Sequence, residues 1–273
     1  MIADQHVHLE RGPYTPENYP DAWLDRYLEQ AARAGVQRLG IVEHAYRFHE
    51  ARGLLPNAWA DARCLYPLET YLEFVERSKA RGVPVSFGLE MDYVPGAEEG
   101  IARFLARYPW DFVHGSVHFV GDVGIDLDEH RPVAAALGRV EIWRRYFALS
   151  RMAAESGLFD VLTHPDLPKI FGERAEEPLD AEFAATVEVL RRKDMALECN
   201  TAGQRKPVGE IYPVEGYLTV ARAAGVPMSI GSDAHVPEDV GAGFADGIAL
   251  ARSAGYTEAV HFIGRRRIAE PLP

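Results

Sequence analysis

Short β-like runs alternate with amphipathic helical stretches along the chain, and that alternation limits the possible fold more than any other feature. The runs fall at 2–8, 36–42, 83–90, 111–118, 159–164, 195–200 and 226–231. Between most of them lie stretches with helical spacing of apolar residues, at 21–34, 68–81, 139–156, 181–192 and 214–224. Three of these close on a glycine directly before the next run: Ala34-Gly35-Val36, Arg81-Gly82-Val83 and Ala224-Gly225-Val226. A residue without Cβ there ends a helix in a left-handed turn. Strands that alternate with helices pair in parallel through right-handed crossovers. No repeat, low-complexity tract or Pro/Gly/Ser linker divides the 273 residues, so one domain over 1–273 is expected. Seven units in one undivided chain favour a closed α/β barrel over an open sheet, although periodicity by itself leaves closure open. The intervals widen at 45–67, 119–137, 165–179 and 201–213, and loops this long in a compact domain tend to be functional.

Every run delivers a metal-capable or amide side chain at or just past its C-terminal end. The first carries His6 and His8, the second Glu43 and His44, the third Glu90 and the fourth His118. The fifth carries His164, the sixth Asn200, and the seventh leads into Asp233 and His235. In a parallel barrel those ends share one face, where the active sites of such folds lie. His6 and His8 are two apart, so on a strand both imidazoles project to the same side and can chelate one divalent cation. Each motif alone is a weak signal. Together they are a strong one, because burying that many ionisable groups without a cation is costly for every unpaired charge. Mixed imidazole and carboxylate donors point to Zn, Mn or Fe rather than to Ca or Mg. The donors outnumber the needs of one ion, which implies two or three divalent transition metals sharing bridging carboxylates.

Charge and cysteine usage remove several function classes. Asp and Glu number 41 against 29 Lys and Arg, for a formal charge of −12 with no basic block. Binding to nucleic acid or to an anionic membrane surface is therefore not expected. No apolar run approaches the roughly 18 residues of a membrane span, and the start of the chain reaches Asp4 too soon for a signal peptide. Cys64 and Cys199 are too few for a disulfide framework, which suits a reducing cytoplasm. Cys199, in an apolar run, reads as a small buried hydrophobe rather than a ligand.

At these residues the sequence resembles the PHP (polymerase and histidinol phosphatase) superfamily over nearly the whole chain, and within it the monofunctional histidinol-phosphate phosphatases. The general motifs are 4–8, Glu43-His44, Glu90, His118, His164 and 232–235. The more specific ones are Gly115-Ser116-Val117-His118-Phe119, His164-Pro165-Asp166-Leu167 and the stretch 200–213. The resemblance implies a distorted seven-stranded (β/α)7 TIM-like barrel with a trinuclear metal centre. It implies that His6, His8, Glu90 and Asp233 hold one metal, and that Glu90, His118 and His164 hold a second. His44 and His235 would hold the third. Many members supply that third metal with a histidine six residues past the second histidine of the first motif. Tyr14 stands there in this chain, with Glu10 and Glu17 as nearby carboxylates that could replace it, or the third site is weak or empty.

Other histidines carry less. His114 lies about 13 Å from His118 on an extended strand, so the two cannot share an ion without a bend; His114 is expected to be structural or to stand behind the ligands. His49, His130 and His261 match no motif and read as surface or capping residues. Asp4 and Asn200 are expected to hold the outer nitrogens of ligating histidines, to line the pocket or to satisfy backbone groups.

The activity implied is that of a metal-dependent phosphomonoesterase. It would hydrolyse L-histidinol phosphate to L-histidinol and phosphate, within histidine biosynthesis, by attack of a metal-activated hydroxide. Arg205 and Lys206 in the sixth βα loop, and Arg174 in the fifth, are candidates to clamp the phosphate. Glu210 is a candidate to neutralise the substrate amine, and Asp233 or His235 to protonate the leaving oxygen. The aromatic loop 46–59 is expected to cover the pocket. Two other readings stand beside this one: a PHP phosphoesterase for another small phosphomonoester or nucleotide, and a binding subunit with a vestigial metal centre.

Overall fold

The computed structural model describes residues 2–9, 20–55 and 57–273. Its strands are β1 (Ala3–Val7), β2 (Arg38–His44), β3 (Val85–Asp92), β4 (Phe112–Ser116), a short hairpin β5 (Phe119–Val120) and β6 (Val123–Gly124), then β7 (Val161–Leu162), β8 (Ala196–Asn200) and β9 (Met228–Gly231). A C-terminal hairpin follows, β10 (Glu258–Ile263) and β11 (Arg266–Pro271). Seven strands form one parallel sheet in the order β1-β2-β3-β4-β7-β8-β9. Each expected run contributes one of these seven strands. The fifth run is reduced to a two-residue ladder, because the backbone past Leu162 bends into a left-handed conformation at His164 (φ 27°).

The expected helices appear at Asp21–Arg33, Leu68–Ala80, Arg139–Ser156, Asp180–Arg192 and Glu215–Ala223. Each turns an apolar stripe to the sheet; in the first, Leu24, Tyr27 and Ala31 are buried at helical spacing while Asp21 and Arg33 suit the charges of its two ends. The glycine stops behave as the pattern requires: Gly35, Gly82 and Gly225 have φ of 73°, 67° and 77°.

The two edges of the sheet meet and nearly close it into a barrel. Val7 bridges Ala234 in parallel, and the His8 N–H donates to the Ala234 carbonyl at 2.8 Å. Asp4 stitches the same seam, accepting from the Ser232 N–H (2.8 Å), the Ser232 hydroxyl (2.5 Å) and the Gly241 N–H (3.0 Å). Burial lifts its pKa to about 6 against those hydrogen bonds. Of the roles open to Asp4 in the sequence, it therefore fills the backbone-satisfying one. The seam needs Gly231: a Cβ there would lie 2.5 Å from both the His6 Cβ and a Glu198 carboxylate oxygen.

At the N-terminal end of the barrel, Phe112, Val161 and Ala196 each open a strand and pack with Val42 against Val260 and Phe262 of β10. The hairpin thus plugs one end and leaves the other open. His261, expected at the surface, is instead buried in β10 at 3% exposure, and burial lowers its pKa so that it stays neutral. The hairpin puts successive residues on alternate faces, and both faces of this strand are covered. His130 caps as expected, accepting from the Gly124 N–H at 2.8 Å. Cys64 and Cys199 are both buried and free. Among the described residues, no helix is long and apolar enough to cross a membrane.

Truncating the plug tests this account of the core. Phe262→Ala is expected to lower the unfolding free energy by about 3–4 kcal/mol, read from urea denaturation, with metal content unchanged because the donors sit at the other end. An unchanged midpoint would mean that the hairpin is not part of the core.

Candidate metal centre

The open end gathers the donors that the strands deliver. His6 and His8 come from β1 and the residue after it, His44 ends β2, Glu90 stands in β3, and His118, His164, Asp233 and His235 lie just past β4, β7 and β9. The Nε2 atoms of His6 and His8 are 3.0 Å apart, and each lies 3.4 Å from Glu90 Oε2. Asp233 Oδ1 completes the group at 3.6 Å from His6 and 3.4 Å from His8. Ligands held at 2.0–2.1 Å around a tetrahedral Zn ion are separated by about 3.3 Å, which is the spacing these four atoms show. They fit one cation.

Glu90 reaches a second position with its other oxygen. Oε1 lies 3.0 Å from His164 Nε2 and 3.6 Å from His118 Nε2. Oε2 also lies 3.1 Å from His44 Nε2. Yet Oε2, fully buried and close to three imidazoles, has no hydrogen-bond partner of acceptable geometry. A buried carboxylate oxygen placed so among nitrogen lone pairs suits a bridge between cations. A further grouping joins His8, His44 and His235, with ligand atoms all within 4.8 Å of one another. Tyr14, Glu10 and Glu17 lie outside the described residues.

The surrounding hydrogen bonds fix which nitrogen each ring presents. His6 Nδ1 is 2.7 Å from Glu198 Oε1, so it donates there and turns the Nε2 lone pair to the site. His118 Nδ1 does the same toward Asp92 Oδ1 at 3.0 Å. Glu198 Oε2 in turn accepts from the His164 N–H (2.8 Å) and the Asn200 amide (3.1 Å), which ties a ligand of each position to one carboxylate. His164 and Asp233 both have left-handed backbone, at φ 27° and 52°. Strain of this kind persists only where the surroundings enforce it.

Electrostatics agree with a cation cage. Burial alone would depress the His8 pKa, but the Asp233 and Glu90 carboxylates beside its Nε2 hold it at about 9. Burial likewise opposes the charge on His118, and Asp92 and Glu90 raise it to about 10. Glu90 and Asp233 resist the upward push of burial because the imidazoles hold both well below the usual carboxylate range. Protons on these rings stand where cations would, so metal binding and proton release are linked. His114 differs. Burial, then His6, lowers its pKa to about 3, both ring nitrogens lack partners, and its ring lies edge-on to His6 at 4.8 Å.

Sequence reasoning passed over several residues of this site. Glu198 and Asp92 sit two positions from recognised residues, Asn200 and Glu90, on the same inward faces; the period of two was the available signal. Glu43, grouped with His44 in the motif, is a brace rather than a donor to the cage. It accepts from the Leu9 N–H at 2.7 Å and from Arg47 at 2.8 Å. Lys169, 1% exposed, pairs with buried Asp166 at 2.8 Å and was not anticipated.

Above the donors lies a cavity of about 370 Å³. Tyr46 and Trp59 of the long loop after β2 line it, as does Lys206. Arg205 does not. Its guanidinium donates to the Ser232 carbonyl at 2.7 Å and lies 3.3 Å from Asp239. Arg174 and Glu210 form an ion pair with each other outside the lining, and Glu210 also lies 3.7 Å from Lys169. The structure thus brings the eight metal candidates and Lys206 together, and leaves Arg205, Arg174 and Glu210 behind the wall.

Metal binding itself checks this arrangement. His8→Ala is expected to lower the metal-to-protein ratio found by elemental analysis. Glu198→Gln, which keeps the shape and removes the charge that fixes His6, is expected to weaken metal affinity by about 10–100-fold in chelator competition. Wild-type affinity in the second variant would show that Glu198 does not act on the ligands.

The PHP domain family matches residues 21–202 of the chain. A protein of Deinococcus radiodurans named probable histidinol-phosphatase is 35% identical over 93% of this chain and 94% of its own. The histidinol-phosphatase of Bacillus subtilis is 29% identical over 87% and 95%. Among solved structures, histidinol phosphate phosphatase from Lactococcus lactis, crystallised with Zn, L-histidinol and phosphate, superposes with a TM-score of 0.77. It covers 98% of both chains at 20% identity, and so supports the barrel. With most of its length matched by that domain and by a relative of this identity, the chain belongs to the PHP family.

Proposed function

We infer that the chain is a histidinol-phosphatase, a metal-dependent hydrolase that converts L-histidinol phosphate to L-histidinol and phosphate. The observation that carries the reading is the Glu90-centred cage of donors on the floor of an open cavity, in a chain 35% identical to a relative of that name. His6, His8, Glu90, Asp233, His118 and His164 would hold two divalent cations, and His44 and His235 a third; bound there, they would supply the Lewis acidity that activates water and neutralises phosphoryl oxygens. Zn, Mn and Fe suit this donor set.

The chain's own groups do the rest. Lys206 projects a positive charge into the cavity for the phosphate. Arg205 grips the Ser232 carbonyl and so holds the turn that carries Asp233. Asp233 and His235 meet at the cavity mouth, where His235 Nδ1 lies 3.1 Å from the Asp233 carbonyl; with His235 on the third cation, the proton for the leaving alkoxide would come from a water held beside these two residues. Arg174, Glu210, Lys169 and Asp166 form a brace behind the wall that joins the loops after β7 and β8. Two buried thiols suit the reducing cytoplasm in which this biosynthetic step would run.

Phosphate release from the metal-loaded protein tests the reading. Turnover of L-histidinol phosphate is expected to exceed that of other small phosphomonoesters by about 100-fold or more in kcat/KM, as a site built to pair polar groups requires. Short DNA should not be cut. Equal turnover of all small esters would contradict the substrate, and no turnover of any would contradict the enzyme.

A further inference from the structure

Once the metal donors are set aside, Lys206 and Asp126 are the two charged side chains that line the cavity among the described residues. The remaining lining residues are aromatic or aliphatic, Tyr46 and Tyr212 among them. A space with one added cation and one added anion complements a molecule that carries both charges. We propose that Asp126 and Tyr212 form a subsite for the ammonium group of the substrate, and so select amino-alcohol phosphates; this rests on the phosphatase reading above.

Asp126 lies just past the β5–β6 hairpin, half-buried, with no hydrogen bond or ion pair among the described residues. It lines the same cavity as His118 of the metal cage and Tyr212 of the loop after β8. An unpaired carboxylate in a partly dry cavity gains from a cationic partner.

Tyr212 supplies the second half. It is 1% exposed, lines the cavity, and its hydroxyl has no hydrogen-bond partner. The rest of the residue is fixed. Its backbone exchanges two hydrogen bonds with Asn200, at 2.6 and 2.9 Å, and the Lys169 ammonium lies 5.3 Å from its ring centroid. Burial keeps the phenol protonated, so it offers one donor and one acceptor in a set position. An ammonium can donate to both the carboxylate and the phenol oxygen. Glu210, the acidic residue first expected to meet the amine, is engaged by Arg174 and Lys169 outside the cavity.

The test compares L-histidinol phosphate with the same ester lacking its amine, 3-(imidazol-4-yl)propyl phosphate. The readout is the ratio of their kcat/KM values. Both esters need the same metals, so damage to the metal centre lowers both rates and leaves the ratio intact. Asp126→Asn is expected to lower the preference for the amine by about tenfold or more, the scale of a lost charge-assisted hydrogen bond. Tyr212→Phe should lower it by less, and Asp126→Glu should retain most of it. A ratio within about twofold of wild type in Asp126→Asn, or a wild-type enzyme that hydrolyses both esters without preference, overturns the subsite alone. A wild-type protein that hydrolyses neither overturns the phosphatase reading beneath it.

Discussion

Glu90 turns one carboxylate oxygen toward His6, His8 and His44 and the other toward His118 and His164, and the open end of the barrel is organised around that division. An ionised carboxylate with 1% exposure would be costly without positive charge on both sides. The charge has to be delivered by groups from separate strands, and strand register does this. In the β2–β3–β4 ladder, His44 stands opposite Glu90, and Glu90 opposite His114. A slip of one residue in either pairing would turn Glu90 out of the barrel and dismantle the cage. The ladder of backbone hydrogen bonds is therefore a condition of the chemistry as well as of the fold.

Much of this was legible because the relevant periods are short. Seven apolar runs, each ending in a polar donor, predict a parallel sheet with its chemistry at one end, and the eight metal candidates do converge. What escaped lies where period and polarity part company. Glu198 is buried within the run 195–200, whose apolar neighbours disguised a carboxylate; only its alternation with Asn200 pointed inward. Asp92 extends β3 two residues past its expected end. The β10–β11 hairpin closes the barrel from outside the repeating pattern, so neither it nor the burial of His261 could be read from the alternation. Asp126, Lys169 and Asp166 sit in irregular loops, where no spacing rule assigns a direction to a side chain.

The basic residues show a different limit. Arg174 and Arg205 are near the site in sequence and charge, which made them natural phosphate clamps. In the folded chain each already has an acidic partner, Glu210 and Asp239 respectively. Lys206, a point charge with three donors where a guanidinium has five, is the one that reaches the cavity. Which member of a basic cluster faces a ligand depends on local ion pairing that composition does not record. Conversely, the left-handed backbone at His164 and Asp233 marks positions where ligand placement has prevailed over conformational preference, with Glu198 and Asn200 holding the strained segments in place.

Anomalous diffraction from metal-loaded crystals, collected at the absorption edges of Zn, Mn and Fe, addresses the cage directly. Peaks should appear about 2.0–2.2 Å from the Nε2 atoms of His6 and His8 and from Asp233, with a second ion across Glu90 bound to His118 and His164. Density with no anomalous signal among those side chains, or ions found only elsewhere on the protein, would contradict a metal centre at the rim of this barrel.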